Sequence, residues 1–148
     1  MLRQSVHAFV AAGAALVLTA CSPSADSEAI SRHHYGDWET DIGYTQVVRV
    51  GNTLHLSGVV GSGTTLDEQL SAIYQNIEQI LSDFDATLAD VVNEVVFTTD
   101  MEALQASTET RRAFFDGQFP ASSWVQIERL FMPEAMVEVE IQAVLGAQ

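Results

Sequence analysis

The clearest periodic pattern in the chain lies between residues 66 and 84. Large apolar side chains recur there at intervals of three and four residues: Leu70, Ile73, Tyr74, Ile77, Ile80, Leu81 and Phe84. This spacing places them on one side of an α-helix, and Thr65 with Glu68 fits a capping box at its start. The pattern therefore predicts a helix over 66–84 with one face in the core.

Segments typical of β-strands lie on both sides of this helix. Residues 44–50 and 53–57 flank the turn signal Gly51-Asn52, which predicts a β-hairpin. Residues 90–99 are rich in Val and Thr and predict a third strand. Asp100 can cap a second helix that reaches about residue 116.

Two final strands are predicted over 122–131 and 136–145. In the last one, apolar residues alternate with Glu138, Glu140 and Gln142, so the two kinds of side chain face opposite sides of the sheet. The order ββαβαββ predicts a single α+β domain, with one mixed sheet and both helices on the same face. Apolar residues on the other face indicate a partner subunit.

The first twenty residues follow a different pattern. Arg3 gives a positively charged start, and the apolar run from Ala8 to Ala20 is too short to span a bilayer but typical of a signal peptide. The run ends in Leu18-Thr19-Ala20-Cys21, which resembles the bacterial lipobox. That resemblance implies cleavage before Cys21, acylation of this cysteine and a lipid anchor in a membrane, with Ser22 favouring the outer membrane. An ordinary secretory signal followed by a coincidental cysteine is the alternative.

Residues 21–40 are therefore interpreted as a lipidated cysteine followed by a flexible tether, because large apolar residues are scarce there. The folded domain is placed at residues 41–148.

Composition narrows the function further. The chain has 148 residues, enough for one domain, and a formal net charge of −14 with no lysine. An acidic surface repels phosphate backbones, so we expect no nucleic-acid partner. The single cysteine excludes an internal disulfide, and its lipidation would leave no thiol for catalysis or metal binding.

No local motif identifies a reaction. His33 and His34 with Asp37 and Glu39 could ligate a metal, although adjacent histidines on a tether are more often solvated, and no metal or cofactor is predicted. The glycine-rich segment 58–63 lacks the Lys and Ser/Thr of a phosphate-binding loop. The serines show no spacing typical of a Ser-His-Asp triad.

Longer segments resemble the RidA/YjgF family, the reactive-intermediate deaminases. The hairpin region 42–58 (Ile-Gly-Tyr-Thr-Gln-Val-Val-Arg-Val-Gly-Asn-Thr-Leu-His-Leu-Ser-Gly) carries the likeness, followed in the family's order by Phe119-Pro120-Ala121-Ser122-Ser123-Trp124-Val125 and Met136-Val137-Glu138-Val139-Glu140. The resemblance covers residues 41–143. It implies a chorismate-mutase-like fold, a homotrimer and a small-molecule cleft at each subunit interface. Family enzymes hydrolyse 2-aminoacrylate and related enamines or imines to 2-keto acids without metal or organic cofactor.

The resemblance also assigns residues to the cleft. The family's tyrosine and serine fall on Tyr44 and Ser57, and the glutamate that handles water and protons falls on Glu138. The arginine that clamps the substrate carboxylate falls on Ser122, and a hydroxyl cannot neutralise a carboxylate. Ser123 is expected to line the same cleft.

Trp124 shares the strand face of Ser122 and is expected to crowd or cover the cleft. Arg129 faces the opposite way and is a poor substitute for the missing cation. Arg111 or Arg112 could reach in from the second helix, but arginines on helices are usually solvated.

Three functions are consistent with this sequence. The first is a RidA-like binding protein of the cell envelope that has lost imine deamination. The second is an enamine or imine hydrolase with an altered substrate choice, in which Glu138 remains catalytic. The third is a structural role for an acidic trimer on the membrane.

Overall fold

The computed structural model describes residues 29–146, and these residues form six strands and four α-helices. The strands are β1 (Ile30–His33), β2 (Val47–Val50), β3 (Thr53–Val59), β4 (Val91–Thr98), β5 (Ala121–Gln126) and β6 (Val137–Val144). The helices are α1 (Trp38–Asp41), α2 (Leu66–Ser82), α3 (Met101–Ala106) and α4 (Thr108–Ala113), and a 3₁₀ turn (Leu88–Asp90) precedes β4.

All six strands belong to one mixed sheet with the order β1-β2-β3-β6-β4-β5. Its neighbouring strands are antiparallel except β4 and β5, which run parallel. Near the start of β6 Glu138 pairs with Phe97 of β4, while Glu94 of β4 pairs with Ser122 of β5. The predicted α+β class with a mixed sheet is confirmed.

Helix α2 packs its apolar face on the sheet, as its periodicity predicts. The predicted capping box is present: Thr65 Oγ1 accepts from the Glu68 N–H, and the Glu68 carboxylate accepts from the Thr65 N–H. Buried residues of α2 pack on inward-facing residues of β6. Those of α2 are Leu70, Ile73, Tyr74, Ile77 and Leu81, and those of β6 are Val137, Val139, Ile141 and Ala143. This layer fixes which side of each strand faces away from the helices.

The predicted tether is wrong for residues 30–40, which belong to the fold. Strand β1 pairs with β2, and Glu39 in α1 is 1% exposed. Its carboxylate accepts hydrogen bonds from the backbone N–H groups of Tyr35 (2.7 Å) and Gln46 (2.9 Å) and contacts His34 Nδ1 at 3.1 Å. A buried carboxylate with these donors holds the segment against the hairpin, although its sequence is largely polar. The domain therefore begins at least eleven residues before residue 41, and residues 21–28 of the predicted tether lie outside the described residues.

Several boundaries differ from the prediction: α2 ends at Ser82, β2 begins only at Val47, and the largest differences concern the second helix and β5. The second helix is divided at Ser107, whose ψ of 13° departs from helical geometry. The Thr108 hydroxyl donates to the Gln105 carbonyl, a local bond that competes with the helical pattern. Strand β5 ends at Gln126 and not at Phe131, because its partner β4 ends at Thr98, directly opposite.

The sheet face away from α2 is not covered by any helix in the described part of the chain. Val95 and Phe97 lie there, half-buried among polar neighbours such as Glu140 and Gln142. Among residues 29–146, no helix combines the length and apolar character needed to cross a bilayer.

Candidate functional site

The hairpin brings Tyr44 and Ser57 to one end of the sheet. The Tyr44 hydroxyl donates to the Gly58 carbonyl at 2.9 Å, and the Ser57 hydroxyl donates to the Thr45 carbonyl at 2.7 Å. Burial raises the pKa of Tyr44, and the nearby Glu138 charge raises it further. The tyrosine hydroxyl therefore stays protonated at neutral pH; its proton is donated to the Gly58 carbonyl, and its oxygen can accept a hydrogen bond.

Glu138 reaches the same place from the start of β6. The side chain is half-buried, and no residue of the described chain forms a hydrogen bond to its carboxylate. Desolvation, and then repulsion from Glu140, raise its pKa. A carboxyl group shifted in this direction is suited to exchanging protons closer to neutral pH.

Gly58 allows this carboxylate to lie against the backbone of β3. A Cβ atom at position 58 would overlap the carboxyl group of Glu138. Any other residue at this position would push the glutamate side chain away from the hairpin.

These residues line one cavity of about 360 Å³. Tyr44, Ser57 and Glu138, which the family resemblance assigns to a cleft, all border it. Trp38 and Phe131 add aromatic walls, and Trp38 stacks on Tyr44 with a centroid separation of 5.5 Å. Trp38 and Phe131 were not predicted from the sequence, because one lies in the supposed tether and the other in the supposed last part of β5.

Ser122 and Trp124 lie elsewhere in the protomer. They share one face of β5, as predicted, but it is the face that carries the helices, whereas Glu138 is on the opposite face. The Ser122 hydroxyl donates to Glu94 Oε1 at 2.7 Å, and Trp124 Nε1 donates to the Ser122 hydroxyl at 2.7 Å. Within one protomer, Trp124 therefore does not cover the cavity that contains Glu138.

Glu94 is the centre of a buried ionic cluster next to Ser122. Arg111 Nε donates to Glu94 Oε1 at 2.6 Å. The fully buried Arg111 Nη2 also lies 2.5 Å from Oε1; this second contact is an ion pair and does not have the geometry of a hydrogen bond. The Tyr74 hydroxyl donates to Glu94 Oε2 at 2.9 Å, and burial raises the pKa of this tyrosine. Glu94 is 0% exposed and Arg111 is 6% exposed.

Three aromatic rings complete the surroundings of Arg111. Its Cζ atom lies 5.0, 5.6 and 5.8 Å from the ring centroids of Phe115, Phe119 and Trp124. The expectation that Arg111 is solvated is wrong, whereas Arg112 is exposed and pairs with Glu109. The sequence signal for this cluster is Glu94, which stands at an inward-facing position of β4: a buried carboxylate needs a hydrogen-bond donor or a cation, and this need predicts a partner such as Arg111.

The remaining candidates contribute neither to this cluster nor to the cavity. Ser123 is exposed on the sheet face opposite Ser122, beside Val95. Cys21 and the predicted signal peptide lie outside the described residues. His33 packs its ring edge-on against Phe84 at 4.8 Å, and His34 contacts Glu39, so both histidines have structural contacts.

Residues 29–146 contain no group of three or more His, Cys, Asp or Glu side chains arranged to hold a metal ion. Along the described lining of the cavity there is also no arginine or lysine. The arrangement therefore offers two hydroxyl oxygens, a half-buried carboxylate and aromatic walls, but no cation for a substrate carboxylate.

Comparisons with known proteins agree with this architecture. The family model described as Endoribonuclease L-PSP matches residues 38–145. A 2-iminobutanoate/2-iminopropanoate deaminase from Dermatophagoides farinae is 30% identical over 105 residues, which cover 66% of this chain and 81% of the relative. The RutC family protein UK114 of Drosophila melanogaster is 31% identical over 114 residues, covering 70% of this chain and 80% of the relative.

Solved structures show the same fold. A member of the YjgF/YER057c/UK114 family from Mycobacterium tuberculosis superposes with a TM-score of 0.74 at 30% identity, covering 79% of this chain and all of that one. A YjgF family protein from Neisseria meningitidis gives a TM-score of 0.71 at 27% identity, covering 80% of this chain and 96% of that one. Because the family model matches residues 38–145 and these relatives share its sequence and fold, the chain belongs to the RidA/YjgF family, whose model is described as Endoribonuclease L-PSP.

Proposed function

We propose that this protein is a RidA-like small-molecule-binding protein that does not deaminate 2-imino or 2-enamino acids. Its ligand binds in the cavity of Tyr44, Ser57 and Glu138. The family reaction on such substrates requires a cation that holds the carboxylate, and this chain has Ser122 at that position.

The observation that carries the proposal is the environment of Ser122. Its hydroxyl donates to a buried carboxylate that already binds Arg111. The arginine nearest to Ser122 is thus neutralised by Glu94 and is buried, so it is not free to hold a substrate anion. Loss of a desolvated charge-assisted pair costs about 2–5 kcal/mol, which corresponds to roughly a 30-fold to several thousand-fold decrease in rate.

Ammonia release from 2-aminoacrylate tests this proposal. The substrate is generated enzymatically in the presence of the purified protein, and a family member with arginine in place of Ser122 is the positive control. We expect a rate at least about 30-fold below that control. A rate comparable with the control would show that the carboxylate is held by another group.

A second candidate function is favoured by the state of Glu138. A half-buried carboxyl group with a raised pKa, beside a tyrosine hydroxyl, could hydrolyse an imine or enamine that has no carboxylate. Glu138 would pass a proton from the attacking water to the imine nitrogen, and would then move the proton of the new hydroxyl group to the same nitrogen as the C–N bond breaks, giving a carbonyl product and an amine or ammonia. Neutral imine substrates test this function, and turnover that survives Glu138→Gln would exclude the mechanism.

The oligomeric state belongs to the proposal as well. We expect a homotrimer in which the sheet faces pack inward and the edge strand β5 of one subunit completes the cleft of its neighbour. Val95, Phe97 and Val125 on the uncovered face support this arrangement. Light scattering after size-exclusion chromatography would give the mass of three chains, and a monomer at micromolar concentration would contradict it.

A lipid anchor at Cys21 and a place in the cell envelope, at the outer membrane, complete the proposal. Both are supported by the apolar run that ends at Ala20-Cys21. Wild-type protein should incorporate labelled fatty acid and partition into detergent, whereas Cys21→Ser should do neither. Equal labelling of the two proteins would exclude this anchor.

We do not extend RNA cleavage, which the name of the family model mentions, to this chain. Its formal charge of −14 opposes RNA binding. Measurable RNA affinity that falls steeply with salt would contradict this expectation.

A further inference from the structure

The cavity beside Glu138 has a distinctive combination of chemical groups. Two carboxylates, Glu138 and Glu140, border it together with the aromatic side chains of Trp38, Tyr44 and Phe131. No basic side chain of residues 29–146 lines it. The formal charge that one protomer places around the cavity is therefore negative, in a chain that is itself strongly acidic.

The aromatic walls are accessible to a ligand. Phe131 is 78% exposed, and Trp38 is also exposed while stacked on Tyr44. Exposed apolar rings around a concave site are typical of ligand-binding surfaces. The faces of such rings carry partial negative charge and attract cations.

The carboxylate of Glu138 is available to a ligand as well. It is half-buried, it has no hydrogen-bond donor within the described chain, and Gly58 leaves the space in which it lies. A partly desolvated carboxylate without a donor gains most from a ligand that brings one, above all a charged one.

We propose that this cavity binds small organic amines in their protonated form, with the ammonium group on Glu138 and an apolar or aromatic body against Trp38 and Phe131. The inference rests on the proposed binding function and names its ligand class. A cavity of about 360 Å³ is at the small end of ligand pockets and suits a molecule the size of phenethylamine. The expected preference is opposite in charge to that of the family's carboxylate substrates.

Three probes of similar shape separate charge from size: phenethylamine, 2-phenylethanol and 3-phenylpropionate. Isothermal titration of the purified protein should give the tightest binding for the amine, weaker binding for the alcohol and the weakest for the carboxylate. We expect the amine to bind at least about tenfold more tightly than the carboxylate. Equal or tighter binding of the carboxylate would overturn the inference, and so would the lack of saturable amine binding.

Two variants locate the amine. Glu138→Gln should weaken phenethylamine about tenfold and leave 2-phenylethanol unchanged. Glu134→Gln is the matched control, because Glu134 is exposed and lies outside the cavity lining. If both variants lower the amine affinity equally, the effect reflects overall charge and the inference fails.

Fluorescence gives an independent measurement of position. The chain has 2 tryptophans, so Trp124→Phe leaves Trp38 as the single indole. Phenethylamine should change the emission of this variant with the same dissociation constant as the titration, and unchanged emission at saturation would place the ligand elsewhere. Ammonia release from 2-aminoacrylate is measured in a separate experiment. If the protein neither deaminates this substrate nor binds the amine, the inference about amines is wrong, while the proposed lack of deaminase activity is supported.

Discussion

Arg111→Met is expected to be among the most destabilising single changes at a polar side chain of this domain. The substitution keeps a long apolar side chain among Phe115, Phe119 and Trp124 but removes the cation. Glu94, which is 0% exposed, would then keep only the neutral Tyr74 and Ser122 hydroxyls as donors.

The size of the effect follows from this geometry. Removing one partner of a buried ion pair leaves an uncompensated charge and costs about 3–5 kcal/mol. For a domain of this size, that corresponds to a decrease of roughly 10–20 °C in the thermal unfolding midpoint. Thermal unfolding followed by circular dichroism, at one protein concentration, measures the change.

Arg112→Met is the matched control, with the same substitution at the next position. Its salt bridge to Glu109 joins side chains that are 55% and 83% exposed. Exposed pairs of this kind contribute at most about 1 kcal/mol, so the control should stay within a few degrees of wild type. If Arg111→Met is no more destabilising than Arg112→Met, the ionic cluster does not exist as described.

Three other changes test separate parts of the structure. Glu138→Gln should raise the unfolding midpoint at pH 8, because the raised pKa of this carboxyl group makes its ionised form unfavourable in the fold. The gain should disappear below about pH 4.5, where the glutamate is protonated in the folded and the unfolded state. A gain that is independent of pH in thermal unfolding scans would contradict this prediction. Glu39→Gln should increase hydrogen exchange over residues 30–41, because the side-chain NH2 group replaces one of the two oxygens that accept the Tyr35 and Gln46 N–H groups. Each lost bond to a charged group costs about 1.5–3 kcal/mol. Unchanged protection of these amides would refute this role of Glu39. Ser122→Arg alone should destabilise the protein and give no deamination, because it brings a second guanidinium group to the Glu94 carboxylate, which is already paired with Arg111. Adding Arg111→Met should restore stability in the same unfolding assay. If stability is not restored, repulsion between the two arginines is not the cause.

Helix α2, which ends two residues before the predicted residue 84, and the hairpin were predictable because their patterns are local. The apolar spacing of α2, its capping box and the Gly51-Asn52 turn each lie within a few residues of the structure that they specify. The family resemblance groups Tyr44 and Ser57 with Glu138, and all three border one cavity; the first two are easy to recognise because they lie in one continuous segment.

The parts that could not be predicted depend on contacts between distant residues. Residues 30–40 are mostly polar and resemble a tether, and only the buried Glu39, bound by backbone groups of two other segments, fixes them to the fold. Arg111 looks like an ordinary solvated residue until Glu94, seventeen positions earlier, is seen to face it. Local patterns do not report such pairs, because burial of each charge is conditional on the other.

Binding of a 2-keto acid tests the absence of a carboxylate clamp most directly. Titration of 2-oxobutanoate into the purified protein, in parallel with Arg111→Met, measures whether any group holds the carboxylate of a family product. We predict no saturable binding to the wild type in the low millimolar range, since Glu94 retains the Arg111 guanidinium. Saturable binding to the wild type that is lost in folded Arg111→Met protein would contradict this, because it would identify Arg111 as the clamp.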